Sequence, residues 1–139
     1  MSFFYLEPEV AGELGAATSM DASVHPPVVS RFAYRFESWL GDAFLEAFPC
    51  FIATCALADT LVMNEFSGFT IEHVTVSSSD EFKALQPGMK LPDFVWLKIT
   101  GIAGNDDFGL AADFRLVVSE HVLHVLKSFN LENADIEAF

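Results

Sequence analysis

The sequence predicts a single α+β domain, a mostly antiparallel mixed sheet with two or three helices packed on it, and three observations carry that expectation. Within residues 114–129, Leu116, Val117 and Val118 form a short apolar run rich in β-branched residues, suited to a buried strand. Ser119 then offers an oxygen to cap a helix whose Val122, Leu123, Leu126 and Phe129 share one face. Residues 28–37 alternate, with Phe32, Tyr34 and Phe36 on one side and Arg31, Arg35 and Glu37 on the other, as a half-buried strand requires. Finally, 139 residues without a repeat or linker suit one domain, residues 1–139, that buries about two-thirds of its unfolded surface.

Taken in order, residues 3–6 read as an opening strand stopped by Pro8, since proline cannot donate to a sheet ladder. Residues 8–27, rich in Gly, Ala, Ser and Pro, read as an irregular loop with one helical turn over 9–14. After the alternating strand, Trp39-Leu40-Gly41-Asp42 makes a turn, and residues 43–48 read as a short helical segment ending before Pro49. Residues 50–53 form a short buried strand. Thr54 caps a helix reaching about Phe66, with Leu57, Leu61 and Val62 inward and Gly68 as its stop. In residues 69–76 the apolar positions shift from odd (Phe69, Ile71) to even (Val74, Val76), which predicts a bulge near Glu72-His73. Ser78 and Glu81 match a capping box opening a helix through Leu85, stopped at Pro87-Gly88. Residues 91–99 are a strand and 101–109 a turn. The strand-to-helix unit then follows, closed by Glu120 in the first helical turn, Lys127 in the last and Asn130 as stop, and residues 135–139 add an edge strand.

Charge narrows the function. Seven Lys and Arg against 20 Asp and Glu give a net charge of -13, which disfavours nucleic acid and anionic membrane surfaces and favours a basic partner. The acid is spread over the chain: residues 1–70 carry nine acids and two bases, residues 71–139 eleven and five. Residues 36–82 hold eight acids and no Lys or Arg. Solubility alone also accounts for such a surface. With 52% hydrophobic residues, however, some apolar surface is expected to be covered by a partner or a second copy, leaving room for a homodimer. The longest uncharged run, 47–58, is interrupted by Pro49 and is shorter than a bilayer span of about 20 residues. The opening Met-Ser-Phe-Phe-Tyr-Leu-Glu-Pro-Glu lacks a basic n-region and reads as no signal peptide. Cys50 and Cys55 make neither a CxxC pair nor a disulfide framework, so a cytoplasmic setting is expected.

No motif carries a reaction. His121 and His124 could share a helix face, but a third metal ligand at recognisable spacing is missing. Asp106-Asp107 with Asp113 fails the calcium-loop pattern and reads as a solvated surface patch. Gly101-Ile102-Ala103-Gly104 lacks the Lys-Ser/Thr of a phosphate loop. Ser77, Ser78, Ser79 and Ser119 are explained by capping, outside any nucleophile elbow. No catalytic residue, metal or cofactor is therefore expected. Aromatic residues beside acids are what protein-interface hot spots look like, which singles out Trp39 with Asp42 and Trp96 with Asp93, each also explicable as core. Together with Asp106 and Asp107, these are the expected partner-binding residues.

The unit Leu116-Val117-Val118-Ser119-Glu120, with Leu123 and Leu126 following, resembles a late strand-to-helix unit in the small acidic α+β immunity proteins of bacterial polymorphic toxin systems. Tyr5-Leu6-Glu7-Pro8-Glu9-Val10, Phe48-Pro49-Cys50-Phe51-Ile52 and Leu91-Pro92-Asp93-Phe94-Val95-Trp96-Leu97 add to the likeness, which runs over most of the chain. The resemblance implies a cytoplasmic, non-catalytic protein that blocks a cognate toxin, with no fixed functional residues to carry over. The leading expectation is thus an acidic module whose carboxylates meet a basic toxin. The alternatives are a small-molecule binder or enzyme with a pocket between the sheet and the 8–27 loop, and a structural subunit.

Overall fold

A computed structural model describes residues 2–139. In chain order these form β1 (Phe3–Glu7), β2 (Gly12–Leu14), β3 (Ser19–Asp21), β4 (Val28–Phe36), β5 (Phe44–Ala47), β6 (Cys50–Thr54), α1 (Cys55–Met63), β7 (Phe69–Glu72), β8 (Val74–Ser78), α2 (Asp80–Leu85), β9 (Phe94–Ile99), β10 (Phe108–Leu110), β11 (Leu116–Ser119), α3 (Glu120–Ser128) and β12 (Asp135–Ala138). The class is broadly α+β, but β dominates and the one expected sheet is three, each of four strands. One runs β10-β11-β1-β12, a second β5-β6-β9-β7, and in the third β4 pairs β2, β3 and β8. Only the β4–β8 pair is parallel among the strand pairs formed by the described residues.

The sheet β5-β6-β9-β7 is the middle layer. Alternate residues of its strands enter two separate hydrophobic clusters. Phe44, Phe51, Ala53 and Leu97 pack with Leu6, Leu116, Val118 and the inner faces of α1 and α3. Leu45, Cys50, Ile52, Phe94 and Trp96 pack with Phe32, Tyr34 and Phe36 of β4, Val74 of β8 and Phe82 of α2. With both faces buried, β5 and β6 have no wet side to mark with polar residues. That is why residues 43–48, read as helical, are instead β5, joined to β6 by a tight turn at Phe48-Pro49 in register Phe44↔Ala53 to Ala47↔Cys50.

Residues 8–27 are irregular for most of their length but carry two short strands in place of the expected helical turn. β2 pairs Tyr34–Phe36 of β4 and β3 pairs Val28–Arg31, so tertiary pairing overrides a composition poor in strand formers. The parity shift at Glu72-His73 marks no bulge within one strand but a change of sheet. β7 pairs β9 antiparallel, and two residues later β8 pairs β4 in parallel.

The helices begin on side-chain caps. Thr54 accepts from the Leu57 N–H, Ser79 from Phe82 and Ser119 from Val122. The second cap lies at Ser79 rather than Ser78. α1 ends at Met63, earlier than expected: Asn64 caps it, Glu65 takes φ +57, and Gly68, at φ +98, lies beyond the turn at the start of β7. Leu57, Ala58 and Leu61 face inward, whereas Val62 is exposed. α3 follows expectation, with Val122, Leu123 and Leu126 buried and Asn130 at φ +84 just past its end. β12 is the expected edge strand on β1. No helix among the described residues is long and apolar enough to cross a membrane.

Candidate functional site

Where β1 leaves its sheet, residues 6–10 run beside Glu46 of β5, the 113–116 loop and residues 133–135, enclosing an open groove of about 440 Å³. Its floor holds the buried Leu6, Pro8 and Leu116, while Val10, Leu40 and Phe48 stand exposed at its rim. Its lining contains five carboxylates (Glu7, Glu9, Glu46, Asp113 and Asp135) and one basic residue, Arg115.

Glu9 builds the back of this groove. Its buried carboxylate accepts the Leu40 N–H at 2.7 Å through Oε2 and the Asp42 N–H at 3.2 Å through Oε1, fixing the turn whose Gly41 adopts φ +107. Its carbonyl accepts the Glu46 N–H at 3.0 Å, which draws residue 9 alongside β5. Asp42, fully buried, accepts Glu132 N–H and the Asn133 Nδ2 on Oδ1, at 3.1 and 3.0 Å, and Asn133 N–H on Oδ2 at 2.8 Å. Leu40 and Asn133, both groove residues, are thus positioned by two acids, Glu9 in the groove's lining and Asp42 behind it.

Burial pushes the Glu46 carboxyl up to about 7, and the nearby Glu7 charge adds to the effect. Burial likewise raises Glu9, against the lowering effect of its two backbone donors, with the Asp42 charge reinforcing the rise. Asp113 is held low by hydrogen bonding to Arg115, whose Nε donates to Oδ2 at 2.8 Å. Arg115 is engaged with other partners as well: its guanidinium lies 3.6 Å from the centre of the Tyr5 ring, and its Nη1 is 3.5 Å from Glu137 Oε2. It leaves Glu46 without a counter-charge. At one end His25 packs edge-on against Phe114 and lies tilted beside Phe48.

The six residues singled out from sequence do not form one surface, and none lines the groove. Trp96 is 4% exposed and packed edge-on against Phe32, so it belongs to the core. Asp42 is 0% exposed and answers backbone donors, so it cannot meet a partner directly. Trp39 is half-buried: its Nε1 donates to the Asp42 carbonyl at 3.0 Å, and its backbone exchanges two hydrogen bonds with the Gln86 side chain. Asp106 and Asp107 are not a loosely solvated pair. Asp106 Oδ2 accepts the Ile102 N–H, and Asp107 accepts the Ser67 N–H and the Ser119 hydroxyl, tying two loops to the start of α3. Of the six, Asp93 is an exposed acid, and its carbonyl accepts the Cys55 N–H at the base of α1.

The residues missed are Glu9, Leu40, Glu46 and Phe48. Glu46 carried a signal, being the only charged side chain between Asp42 and Asp59 in a stretch otherwise suited to the interior. Glu9 carried none, because its role depends on a contact with residues 40–42.

Chemically the groove is a cation acceptor with an apolar rim. Among the described residues no His, Ser or Cys lines it, and no group of three or more metal-ligating side chains occurs. His121 and His124 are exposed on α3. Between the sheet and the 8–27 segment the structure has an open hollow of about 590 Å³, where residues 13–17 face Ala33 and Arg35 of β4 and Thr75, Ser77 and Ser78 at β8. A smaller cleft of about 170 Å³ is flanked by Pro26, Pro27 and Trp96.

Comparison with models of known protein families, with characterised proteins and with solved structures finds no match. Function therefore rests on the chemistry of the groove and the charge of the whole chain.

Proposed function

We propose that this chain is an acidic, non-catalytic protein-binding module that neutralises a cognate basic protein in the cytoplasm, in the manner of the toxin-system immunity proteins that its sequence resembles. The observation that carries the reading is the groove, where five carboxylates face one already engaged arginine beneath three exposed apolar side chains. The net charge of -13 would accelerate encounter with a basic surface and discourage acidic partners. Val10, Leu40 and Phe48 would supply the apolar contact that holds a complex once formed.

Affinity capture from the source organism, at low and at moderate salt, tests the reading. The expected result is a basic protein whose recovery falls as salt rises. Absence of any partner at both salts, together with a metabolite co-purifying with the chain, overturns it.

A further inference from the structure

The groove's carboxylates are not equivalent. Glu9 already accepts two backbone N–H groups and Asp113 is paired with Arg115, whereas the Glu46 carboxylate has no hydrogen-bond or ion-pair partner among the described residues. Glu46 sits on a strand whose other residues are all buried, and it shares its face of that strand with the fully buried Phe44. A half-buried carboxylate without a donor is disfavoured in its charged form, and its surroundings hold nothing within the chain to relieve it. Glu7 and Asp135 deepen the negative potential around it, and Leu40, Phe48 and Val10 surround the opening with apolar surface. A long side chain with an apolar stem and a cationic head fits both properties at once.

We infer that the groove receives one lysine or arginine side chain of a partner protein, its charge against Glu46 and its alkyl stem along Leu40 and Phe48. This rests on the protein-binding reading above and names the contact through which it would work. The titratable and charged groups facing the site are Glu7, Glu9, Asp113, Arg115, Asp135 and, at the Phe48 end, His25. Burial brings the Glu46 carboxyl to about 7, so a cation beside it must displace a proton at or below neutral pH. Binding should strengthen as pH rises through that value.

The test uses the peptide acetyl-Leu-Lys-Leu-Lys-Leu-amide and a control with Glu in place of Lys, titrated into the ¹⁵N-labelled chain and read by amide chemical shifts. Shifts centred on Leu40, Glu46, Phe48 and Arg115 are expected, with affinity lowered roughly tenfold in Glu46→Gln and unchanged in Asp59→Asn. Affinity should also weaken from about pH 8 to about pH 6 in the native chain but not in Glu46→Gln. Shifts scattered over the acidic surface, no binding of the Lys peptide, or equal affinity in Glu46→Gln overturns the inference. The two proposals fail separately. If affinity capture returns a basic protein that Glu46→Gln binds as well as the native chain does, the groove assignment falls and the binding role stands. If instead the Lys peptide seats in the groove of a chain that captures no protein, the groove assignment stands and the binding role falls.

Discussion

Two buried or half-buried acids on neighbouring segments illustrate opposite uses of a carboxylate. Asp42 is surrounded by donors and binds residues 132–133 to the turn that follows β4. Asp42→Ala would leave three N–H donors without their acceptor, and a loss of about 3 kcal/mol is expected in urea unfolding. Glu46 has the reverse environment. Its folded-state pKa of about 7 exceeds the ordinary carboxyl value of 4.5, so the folded chain holds this proton more tightly than the unfolded chain does. The stability it contributes is complete below about pH 4.5 and is lost as pH rises through about 7. Glu46→Gln cannot ionise, so its melting temperature should match the native chain in acid and exceed it increasingly from about pH 5 to about pH 8. A constant difference across that range would contradict the assigned environment. At Ser119 two duties meet, since its hydroxyl accepts from Val122 N–H and donates to Asp107. Ser119→Ala should therefore cost about 2 kcal/mol, the upper end for a helix cap, and calorimetry would measure it.

Among the elements, β11 and α3 were legible because every local signal agreed there: β-branched residues, a capping serine, a helical apolar face and a stop at Asn130. β4 was legible because its alternation survives, with exposed Arg31 and Arg35 opposite buried Phe32, Tyr34 and Phe36. β5 was not, because a strand between two cores loses the alternation that identifies strands. β2 and β3, three residues each, exist only through pairing with β4, which no local propensity reports. The site was less legible than the fold. Acidity pointed to a cationic partner, but the groove is assembled from four separate stretches of chain, and only Glu46 stood out within its own. The junction after α1 shows how tightly the elements close on one another. A Cβ at Gly68 would lie 2.0 Å from the Phe108 carbonyl oxygen, and the backbone there already has φ +98. Gly68→Ala should cost on the order of 2 kcal/mol or more, seen as a lowered urea midpoint.

Across the whole molecule, 20 acids against seven bases repel one another, and few pairs offset them; the four side-chain ion pairs among the described residues are all at least partly exposed. Screening should relieve that repulsion, so the melting temperature should rise when sodium chloride increases from about 0.01 M to about 0.5 M. A fall would mean that the surface ion pairs outweigh the repulsion. Neither core stands alone, because the sheet β5-β6-β9-β7 supplies one wall of each. The run from Phe69 to Ser78 gives its first half to that sheet and its second to the strand beside β4. It therefore acts as a stitch between layers: a protease that nicks an exposed loop elsewhere would leave both pieces bound to each other, and no half-sized fragment should survive by itself.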